Sequence, residues 1–373
     1  MRQNYLVIKT EEECKQLFAS TSGQPITRAA FQGIALPHES LSHTYKDCMF
    51  LSCHIPRGLK RQFTDCLVFP DMGELFSVRS DLYTAEELYA GYRPGSPETF
   101  KDTYDQRVYQ HYLRRGKRST DIKETLARTL HDHSISMSLH DFLSAYKPCD
   151  VVGVMGGHGL RRDEAQYATV ARISKRLAES GKLMISGGGP GAMEATHLGA
   201  WMAGRSDEEL DQAIALLSSA PEFTHPMWLD VALQVRQRWP QTRYESVGIP
   251  TWLYGHEPAT PLATRIAKYF DNSIREDGIL TLAFGGIVFT PGSAGTLQEI
   301  FQEAVQDHYL SFGTSSPMLF LGVDFWTREM PVYPLLIDLL NRGKYKNLIL
   351  GISDDIEEIV SRLLAFCPTP RQQ

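Results

Sequence analysis

The chain has 373 residues, of which 42% are hydrophobic and 22% are charged. This composition excludes global disorder, and at about 100–200 residues per domain the length predicts two domains. A formal net charge of −6 excludes a generally basic nucleic-acid-binding protein. The six cysteines form no CxxC pair, which is typical of reduced intracellular thiols.

The apolar stretches are too short for export or membrane insertion. The amino terminus lacks a signal-like apolar segment. The longest near-apolar run, residues 278–290, is shorter than the roughly 18 residues of a spanning helix. We therefore expect a cytoplasmic protein that binds neither membrane nor nucleic acid.

Residues 1–147 give weak signals, and we interpret them as an N-terminal α+β extension of unknown role. Helical spacing begins at Tyr83 and continues to Tyr146. Two earlier segments, YKDCMF (Tyr45–Phe50) and FTDCLVF (Phe63–Phe69), resemble each other and suggest two similar strand–turn units. Short apolar stretches of strand length occur at Tyr5–Ile8, Met49–Leu51 and Leu67–Phe69.

Residues 148–373 alternate between apolar runs of strand length and amphipathic helices. The predicted strands are Val151–Met155, Leu183–Ile185, Val247–Tyr254, Ile287–Thr290, Met318–Val323 and Leu348–Leu350. The predicted helices are Asp163–Ser180, a helix ending near Met202, Pro261–Arg275, Ala294–His308, Pro334–Arg342 and a closing helix from about Asp354. Two further helices, Asp207–Ser218 and Met227–Trp239, form a helical insertion at about 206–245. Wholly apolar strands between helices predict an α/β domain, a Rossmann-like doubly wound parallel sheet.

Glycine-rich segments follow three of the predicted strands, where ligands bind in such sheets. They are GVMGGHG (Gly153–Gly159), GGGPG (Gly187–Gly191) and GSAGT (Gly292–Thr296). The last one leads directly into a helix, so its free N–H groups and the helix dipole favour a phosphate. It is not a Walker loop, because no Lys-Ser or Lys-Thr follows.

The middle segment also satisfies GxGxxA through Gly187, Gly189 and Ala192. A dinucleotide fingerprint requires a strand ending in an acidic residue about 20 residues later. The stretch at that distance, RSDEELDQAIALL, has a helical pattern, which disfavours NAD. An oxidoreductase is accordingly a third alternative.

The paired loops resemble those of the LOG family, Rossmann-like phosphoribohydrolases that act on nucleoside 5′-monophosphates and are often called lysine decarboxylase-like. The family signature combines GGG-x-x-G-x-M with PGG-x-GT-x-E-E. This chain has GGGPGAMEA at Gly187–Ala195 and PGSAGTLQE at Pro291–Glu299. The resemblance covers roughly residues 150–350 and does not extend to residues 1–147.

The resemblance implies a set of site residues. Gly292, Ser293, Gly295 and Thr296 would hold the 5′-phosphate, and Glu299 would face the ribose. Arg275 would match the family's arginine, and Glu194 corresponds to a glutamate of larger nucleotide nucleosidases. The remaining nucleotide-binding residues would be the loop glycines and the residue before Glu299: Gly187, Gly188, Gly189, Gly191 and Gln298.

Four features depart from the signature. The first loop is one residue shorter, Ser293 replaces a glycine, and Arg275 lies about one residue further from the proline. Gln298 replaces the first glutamate of the E-E pair. A glutamine cannot ionise, so it can orient water or ribose but cannot act as a base.

Cleavage of an N-glycosidic bond develops positive charge on the ribose, which calls for a carboxylate near C1′ and a positive charge near the phosphate. Glu299, and second Glu194, are the candidate catalytic carboxylates, with Arg275 as the phosphate clamp. Each has a structural alternative: Glu299 as a solvated carboxylate, Glu194 as a complement to a helix dipole, and Arg275 as a charge at a helix C-terminus. His158, His256 and Glu257 also lie near strand ends and could contact the ligand or occupy surface turns.

No ligand spacing supports a metal. Neither the group Cys48, Cys53, His54 and Cys66 nor the pair His131 and His133 has the spacing of a zinc site. We therefore expect no metal and no other cofactor.

The leading hypothesis is a nucleoside 5′-monophosphate nucleosidase that releases a free base and ribose 5-phosphate. The alternative is a non-catalytic nucleotide-binding sensor or regulatory protein, which Gln298 and the large N-terminal region suggest. The resemblance further implies a homo-oligomer, a dimer or larger.

Overall fold

A computed structural model describes residues 5–21 and 23–367 of the chain. The chain divides into two compact units. Of the described residues, the first comprises those within 1–82 and 115–142, and the second comprises those within 83–114 and 143–373. No helix of the described residues is long and apolar enough to cross a membrane.

The elements before residue 147 are short strands and four helices. The strands are β1 (Leu6–Ile8), β2 (Ile26–Thr27), β3 (Ala29–Gln32), β4 (Tyr45–Lys46), β5 (Met49–Leu51), β6 (Phe63–Thr64) and β7 (Leu67–Phe69). The helices are α1 (Glu11–Ser20), α2 (Ala85–Leu88), α3 (Tyr104–Arg115) and α4 (Ile122–Leu143).

The later elements alternate along the chain. The strands are β8 (Val151–Met155), β9 (Leu183–Ser186), β10 (Ser246–Gly248), β11 (Arg265–Ile266), β12 (Ile287–Phe289), β13 (Pro317–Leu321) and β14 (Ile349–Ser353). The helices are α5 (Ala165–Glu179), α6 (Ala192–Met202), α7 (Asp207–Leu217), α8 (Trp228–Arg238), α9 (Asn272–Leu282), α10 (Ala294–Tyr309), α11 (Val332–Asn341) and α12 (Ile356–Ala365).

In the first unit the chain coils so that successive turns stack in parallel. One sheet has the order β1-β3-β5-β7 and the other β2-β4-β6, all parallel. Ile26 pairs with Tyr45, and Tyr45 pairs with Phe63, so one turn of the coil takes 19 residues and the next 18. Inside the coil, Phe31 and Phe50 stack with ring centroids 5.0 Å apart.

The two similar segments predicted from the sequence are equivalent turns of this coil, so the two strand–turn units are confirmed. A third segment, ITRAAF (Ile26–Phe31), pairs with YKDCMF in the same register, although the two sequences are not similar. Within each of the three segments one residue has positive φ, Arg28, Asp47 or Asp65. Aspartate tolerates this conformation better than most side chains, which accounts for its recurrence in two of the three turns.

The second unit contains a seven-stranded sheet in the order β11-β10-β9-β8-β12-β13-β14, and all its neighbours are parallel. Strands β8, β9, β12 and β13 are buried throughout, as a sheet covered by helices on both faces requires. The predicted fold class, a Rossmann-like α/β sheet, is confirmed. Helix α6 is buried along its whole length beneath α5 and α7, and its residues Leu198 and Trp201 join the largest core cluster.

Two predicted elements at the β10–β11 edge of this sheet are wrong. The strand expected at Val247–Tyr254 is only Ser246–Gly248, followed by one 3₁₀ turn at Trp252–Tyr254. Pro250 has no N–H to continue the ladder, and Thr251 Oγ1 accepts a hydrogen bond from Leu253 N that begins the turn.

The helix expected at Pro261–Arg275 is also wrong, because Arg265–Ile266 forms the edge strand β11. The helix of this region instead begins at Asn272, capped by the Asp271 carboxylate, which accepts from Ser273 N at 2.9 Å. Arg275 therefore lies in the first turn of α9. A role as a charge at a helix C-terminus is ruled out.

The compact units differ from the expected domains, 1–147 and 148–373, at residues 83–114 and at residues 143–147. Residues 83–114 belong with the later sheet, because Tyr83 pairs with Ile266 and the buried Asp105 carboxylate accepts from Lys268 at 2.5 Å. Both members of that ion pair are fully buried. The aromatic side chains of residues 83–114 thus contribute to the core of the second unit.

Candidate functional site

The order of the sheet selects one crevice. Starting from β8, the next strands of the chain (β9, β10 and β11) lie on one side of it. The later strands (β12, β13 and β14) lie on its other side. Ligands of doubly wound sheets bind at such a switch point, outside the carboxyl ends of the strands. The three glycine-rich segments predicted to bind a ligand follow β8, β9 and β12.

A cavity of about 350 Å³ occupies this crevice. Its walls come from the loops after β8, β9 and β12, from the segment before β11, and from the facing turns of α9 and α10. The lining residues are Met155, Gly156, Gly157, His158, Gly187, Met193, Tyr254, Glu257, Arg275, Glu276, Ser293, Ala294, Gly295, Thr296, Gln298 and Glu299.

The three loops are joined to one another by backbone contacts. Gly157 N donates to Pro291 O at 3.3 Å, and Ala192 N donates to Gly157 O at 3.2 Å. Gly191 has a φ of 72°, and a Cβ atom there would lie 2.4 Å from Gly157 O. Only glycine fits this position, because both the conformation and the approach exclude a side chain.

The amino terminus of α10 opens into the cavity. Ser293 precedes the helix and makes no side-chain cap, so the N–H groups of the first turn lack acceptors within the helix. Ser293, Gly295 and Thr296 all line the cavity. Gly292 lies just behind them, where a Cβ atom would approach Thr296 Oγ1 to 2.1 Å. Unpaired N–H groups at the positive end of a helix dipole form an anion-binding site.

Arg275 and Glu299 form the charged floor of the cavity. Arg275 Nη1 lies 3.7 Å from Glu299 Oε1, and both side chains are largely buried. Arg275 Nε also donates to Ile249 O at 3.3 Å, which fixes the guanidinium. Gly187 makes room for it, because a Cβ atom there would lie 2.4 Å from Arg275 Nη2. The structure thus brings together three residues that the sequence predicted separately.

Burial raises the pKa of Glu299 to about 7, because the surrounding protein disfavours the charged form. The guanidinium of Arg275 opposes this increase in the pKa, and the carboxylate of Glu276 adds to it. Near neutral pH this carboxyl group therefore exchanges a proton readily. A group of this kind suits acid or base catalysis.

Gln298 lies at the rim of the cavity beside Glu299. Its Nε2 donates to Glu276 Oε2 at 3.1 Å. Glu276 was not predicted from the sequence as a site residue, although it follows Arg275 directly. The only available signal was that adjacency, since neighbouring residues in the first two turns of a helix can both reach a cavity at its end.

Three glycines of the predicted nucleotide loop, Gly188, Gly189 and Gly191, are outside the cavity lining. Gly188 has a φ of 69° and packs against Gly248, whose Cα would lie 2.9 Å from an added Cβ. Gly189 lies beside Met193, whose Cε would be 2.9 Å from a Cβ. These glycines fit the backbone of the loop tightly between β9 and its neighbours.

The structure does not bring Glu194 to the same cavity as Glu299. Its carboxylate is fully buried and pairs with Arg162 through two hydrogen bonds of 2.7 and 2.6 Å. Tyr167 donates to the same carboxylate at 3.0 Å. Glu194 and Gly191 border a second cavity of about 240 Å³ instead. With its acceptor sites occupied, this carboxylate supports α6 and the loop before it.

Of the other candidates, His158 and Glu257 line the main cavity and His256 does not. His158 Nδ1 lies 3.5 Å from Glu257 Oε1. His256 is mostly exposed, with its Nε2 atom 3.8 Å from the same oxygen. Tyr254 and Met193 line the cavity as well. Met193 is the methionine of the first signature loop, whereas no sequence pattern indicated Tyr254 as a site residue.

Among residues 5–21 and 23–367, no group of three or more His, Cys, Asp or Glu side chains is arranged to hold a metal ion. The six cysteines are free. In the first unit, Cys48 Sγ contacts Ile26 O at 3.4 Å and Cys66 Sγ contacts Tyr45 O at 3.5 Å, so these thiols lie against neighbouring turns of the coil.

The sequence matches no protein-family model and no curated protein. Several solved structures align with 58% of this chain. The molybdenum cofactor binding protein of Rippkaea orientalis is 13% identical, with 95% of its chain covered and a TM-score of 0.36. The molybdenum cofactor carrier protein of Chlamydomonas reinhardtii is 15% identical, with 98% covered and a TM-score of 0.36. The protein TM1055 is 20% identical, with 99% covered and a TM-score of 0.38.

The fit of Gly191 between the loops can be tested with Gly191→Ala. We expect the free energy of unfolding to fall by about 1–3 kcal/mol or more. Alanine is strained at this φ, and its Cβ would clash with the Gly157 carbonyl. Chemical denaturation measures the change. Gly278→Ala is the matched control: nothing lies within 4 Å of its added Cβ, and alanine favours the helix. Equal stability of the two variants would contradict the account.

Proposed function

We propose that this protein hydrolyses the N-glycosidic bond of nucleoside 5′-monophosphates and releases a free base and ribose 5-phosphate. The observation that carries the proposal is the single cavity that joins an uncapped helix terminus to a fixed arginine and a buried glutamate. The resemblance of its two loops to the LOG family signature supports the same activity.

The N–H groups at the start of α10 would bind the 5′-phosphate. Backbone donors together with the helix dipole suit a dianion, and Ser293 and Thr296 add hydroxyl groups at the same point. Arg275 supplies the positive charge that offsets the phosphate. The bound phosphate would then set the distance at which the ribose reaches Glu299.

Glu299 would act where the glycosidic bond breaks. As that bond lengthens, the ribose becomes positively charged and the base accumulates negative charge. A carboxyl group with a pKa near 7 can give the base its proton at neutral pH. Its largely buried position also keeps bulk water from competing for that proton. Water then completes the ribose at C1′.

A nucleotide-binding sensor is the second candidate, and Gln298 is the observation that favours it. The family signature has a glutamate there, whereas the amide of Gln298 cannot take a proton from water. The cavity alone would suffice for such a protein, since binding requires the helix terminus and Arg275 but no acid or base.

The homo-oligomer implied by the resemblance has a candidate surface near the end of α10. Tyr309 is 73% exposed, and Val305 and Phe312 are nearly half exposed. Apolar side chains grouped in this way favour contact with another protein surface. We expect sedimentation equilibrium to give at least twice the 42.0 kDa mass of one chain. A monomer at micromolar concentration would contradict this part of the proposal.

The activity itself is tested with AMP, GMP, CMP, UMP and IMP. We expect release of the free base from at least one of them, and binding measured by calorimetry to weaken by at least about tenfold for the corresponding nucleoside, because the phosphate contacts are lost. Binding without base release would favour the sensor. Absence of both binding and release for all five nucleotides would exclude both functions.

The role of Glu299 predicts the pH dependence of the reaction. The group acts when protonated, so kcat/KM should fall as pH rises through about 7, the pKa of Glu299. In Glu299→Gln this decline should disappear and kcat/KM should be lower by about 10²-fold or more. Initial rates of base release between weakly acidic and alkaline pH measure both effects.

Glu303→Gln is the matched control for this experiment. Glu303 lies one turn further along α10, and burial raises its pKa to about 7 as well, but it does not line the cavity. We expect its pH profile to match that of the unsubstituted protein. The same loss of the alkaline decline in both variants would refute the assignment to Glu299.

A further inference from the structure

Glu276 lies in a hydrogen-bonding environment that the LOG family signature does not predict. It lies in the second turn of α9 and lines the cavity with Glu299. Its two oxygens are held by two different amides: Asn272 Nδ2 donates to Oε1 at 2.5 Å, and Gln298 Nε2 donates to Oε2 at 3.1 Å. Neither partner carries a charge, so the carboxylate is oriented without being neutralised.

The two carboxyl groups have unlike surroundings. Glu299 is buried beside Arg275, whereas Glu276 is half-buried and bound by amides. Their proximity is visible in the pKa of Glu299, which the negative charge of Glu276 helps to raise. Pairs of carboxyl groups in unlike environments commonly divide the work of acid and base between them.

We propose that Glu276 is the second catalytic carboxylate of this site, that it takes the proton of the attacking water, and that Gln298 is the positioning residue that orients it. The inference rests on the proposed hydrolysis. It assigns to Glu276 the carboxylate chemistry that the signature places at position 298.

The pairing also accounts for the glutamine. An amide nitrogen donates to the Glu276 carboxylate, whereas a glutamate at position 298 would set two like charges at hydrogen-bond distance. Once Glu276 supplies the carboxylate, the neighbouring position is better filled by a donor. Glu276 and Gln298 therefore form one unit, and Gln298 is compatible with turnover.

The chemical step balances with these two groups. The bond between C1′ and the base nitrogen breaks, and its electron pair stays with the base, which takes a proton from the Glu299 carboxyl. The oxygen of water bonds to C1′ and gives its proton to the Glu276 carboxylate. The products are the free base and ribose 5-phosphate, and exchange with solvent returns both carboxyl groups to their starting states.

Glu276→Gln tests the assignment, because it removes the charge and keeps the size. We expect kcat for base release to fall by about 10²–10⁴-fold, the usual contribution of a general base. KM and the nucleotide affinity measured by calorimetry should stay within about threefold, since the helix terminus and Arg275 are intact. Glu276→Asp keeps the carboxylate and should recover part of the lost rate.

Asp277→Asn is the matched control. Asp277 is the next residue of α9, is exposed, bonds to Gln302 and does not line the cavity. Its removal should leave kcat and KM within about twofold of the unsubstituted protein. A strong loss in this variant, similar to that of Glu276→Gln, would overturn a specific role for Glu276.

The Gln298→Glu variant tests whether residue 298 orients the Glu276 carboxylate or can itself supply a catalytic carboxylate. If Gln298 orients Glu276, the new carboxylate repels the Glu276 carboxylate and kcat falls at neutral and alkaline pH. At acidic pH one of the two carboxyl groups is protonated, so kcat should recover in part. A merely structural role for Gln298 would give no such pH-dependent recovery. A Gln298→Glu variant that is faster than the unsubstituted protein would overturn the proposal.

The outcomes distinguish this inference from the proposed function. Base release by the unsubstituted protein together with undiminished kcat in Glu276→Gln would overturn the role of Glu276 alone. Absence of base release from every nucleotide by the unsubstituted protein would overturn both.

Discussion

The site depends on the contact between three loops that end neighbouring parallel strands. Gly157 N donates to Pro291 O, and Ala192 N donates to Gly157 O. Gly191 packs against the Gly157 carbonyl. At Gly191 such contact is possible only without a side chain, so glycine is required there by geometry. This packing leaves the N–H groups at the start of α10 facing the cavity with no acceptor from the helix itself.

The charges around that helix terminus are arranged on two adjacent helices. Arg275 and Glu276 come from the first turns of α9, and Glu299 comes from the second turn of α10. Because α9 and α10 pack side by side, residues far apart in sequence reach one cavity. The protein environment then differentiates the carboxyl groups, since burial raises the pKa of Glu299 while amides hold Glu276.

Glu194 illustrates how one motif can contain residues with different tasks. It follows the glycines of the second loop, as a catalytic glutamate would, yet it is fully buried with Arg162. Removal of one partner of a buried ion pair leaves an uncompensated charge and strongly destabilises the fold. Its structural contribution is to fix α6 beneath the loop, and the charge is satisfied before any ligand arrives.

Local patterns in the sequence were sufficient for the sheet and for the phosphate end of the site. The apolar run Val151–Met155 and the helix that Gly292–Thr296 leads into were both predictable, because a buried strand and a glycine turn before an amphipathic helix each leave a local pattern. The region between residues 246 and 282 was not. There the two-residue edge strand depends on pairing with β10, which no local periodicity records. The helix begins only at Asn272, after the Asp271 cap.

The sequence by itself determined which backbone turns could bind an anion, because glycine spacing and strand length are properties of neighbouring residues. Only the tertiary structure decided which carboxylates share the cavity. It directed Glu194 towards Arg162 and brought Glu276 to Gln298, a residue 22 positions away. Such choices follow from how helices pack across a sheet, and that packing is set by contacts between distant parts of the chain.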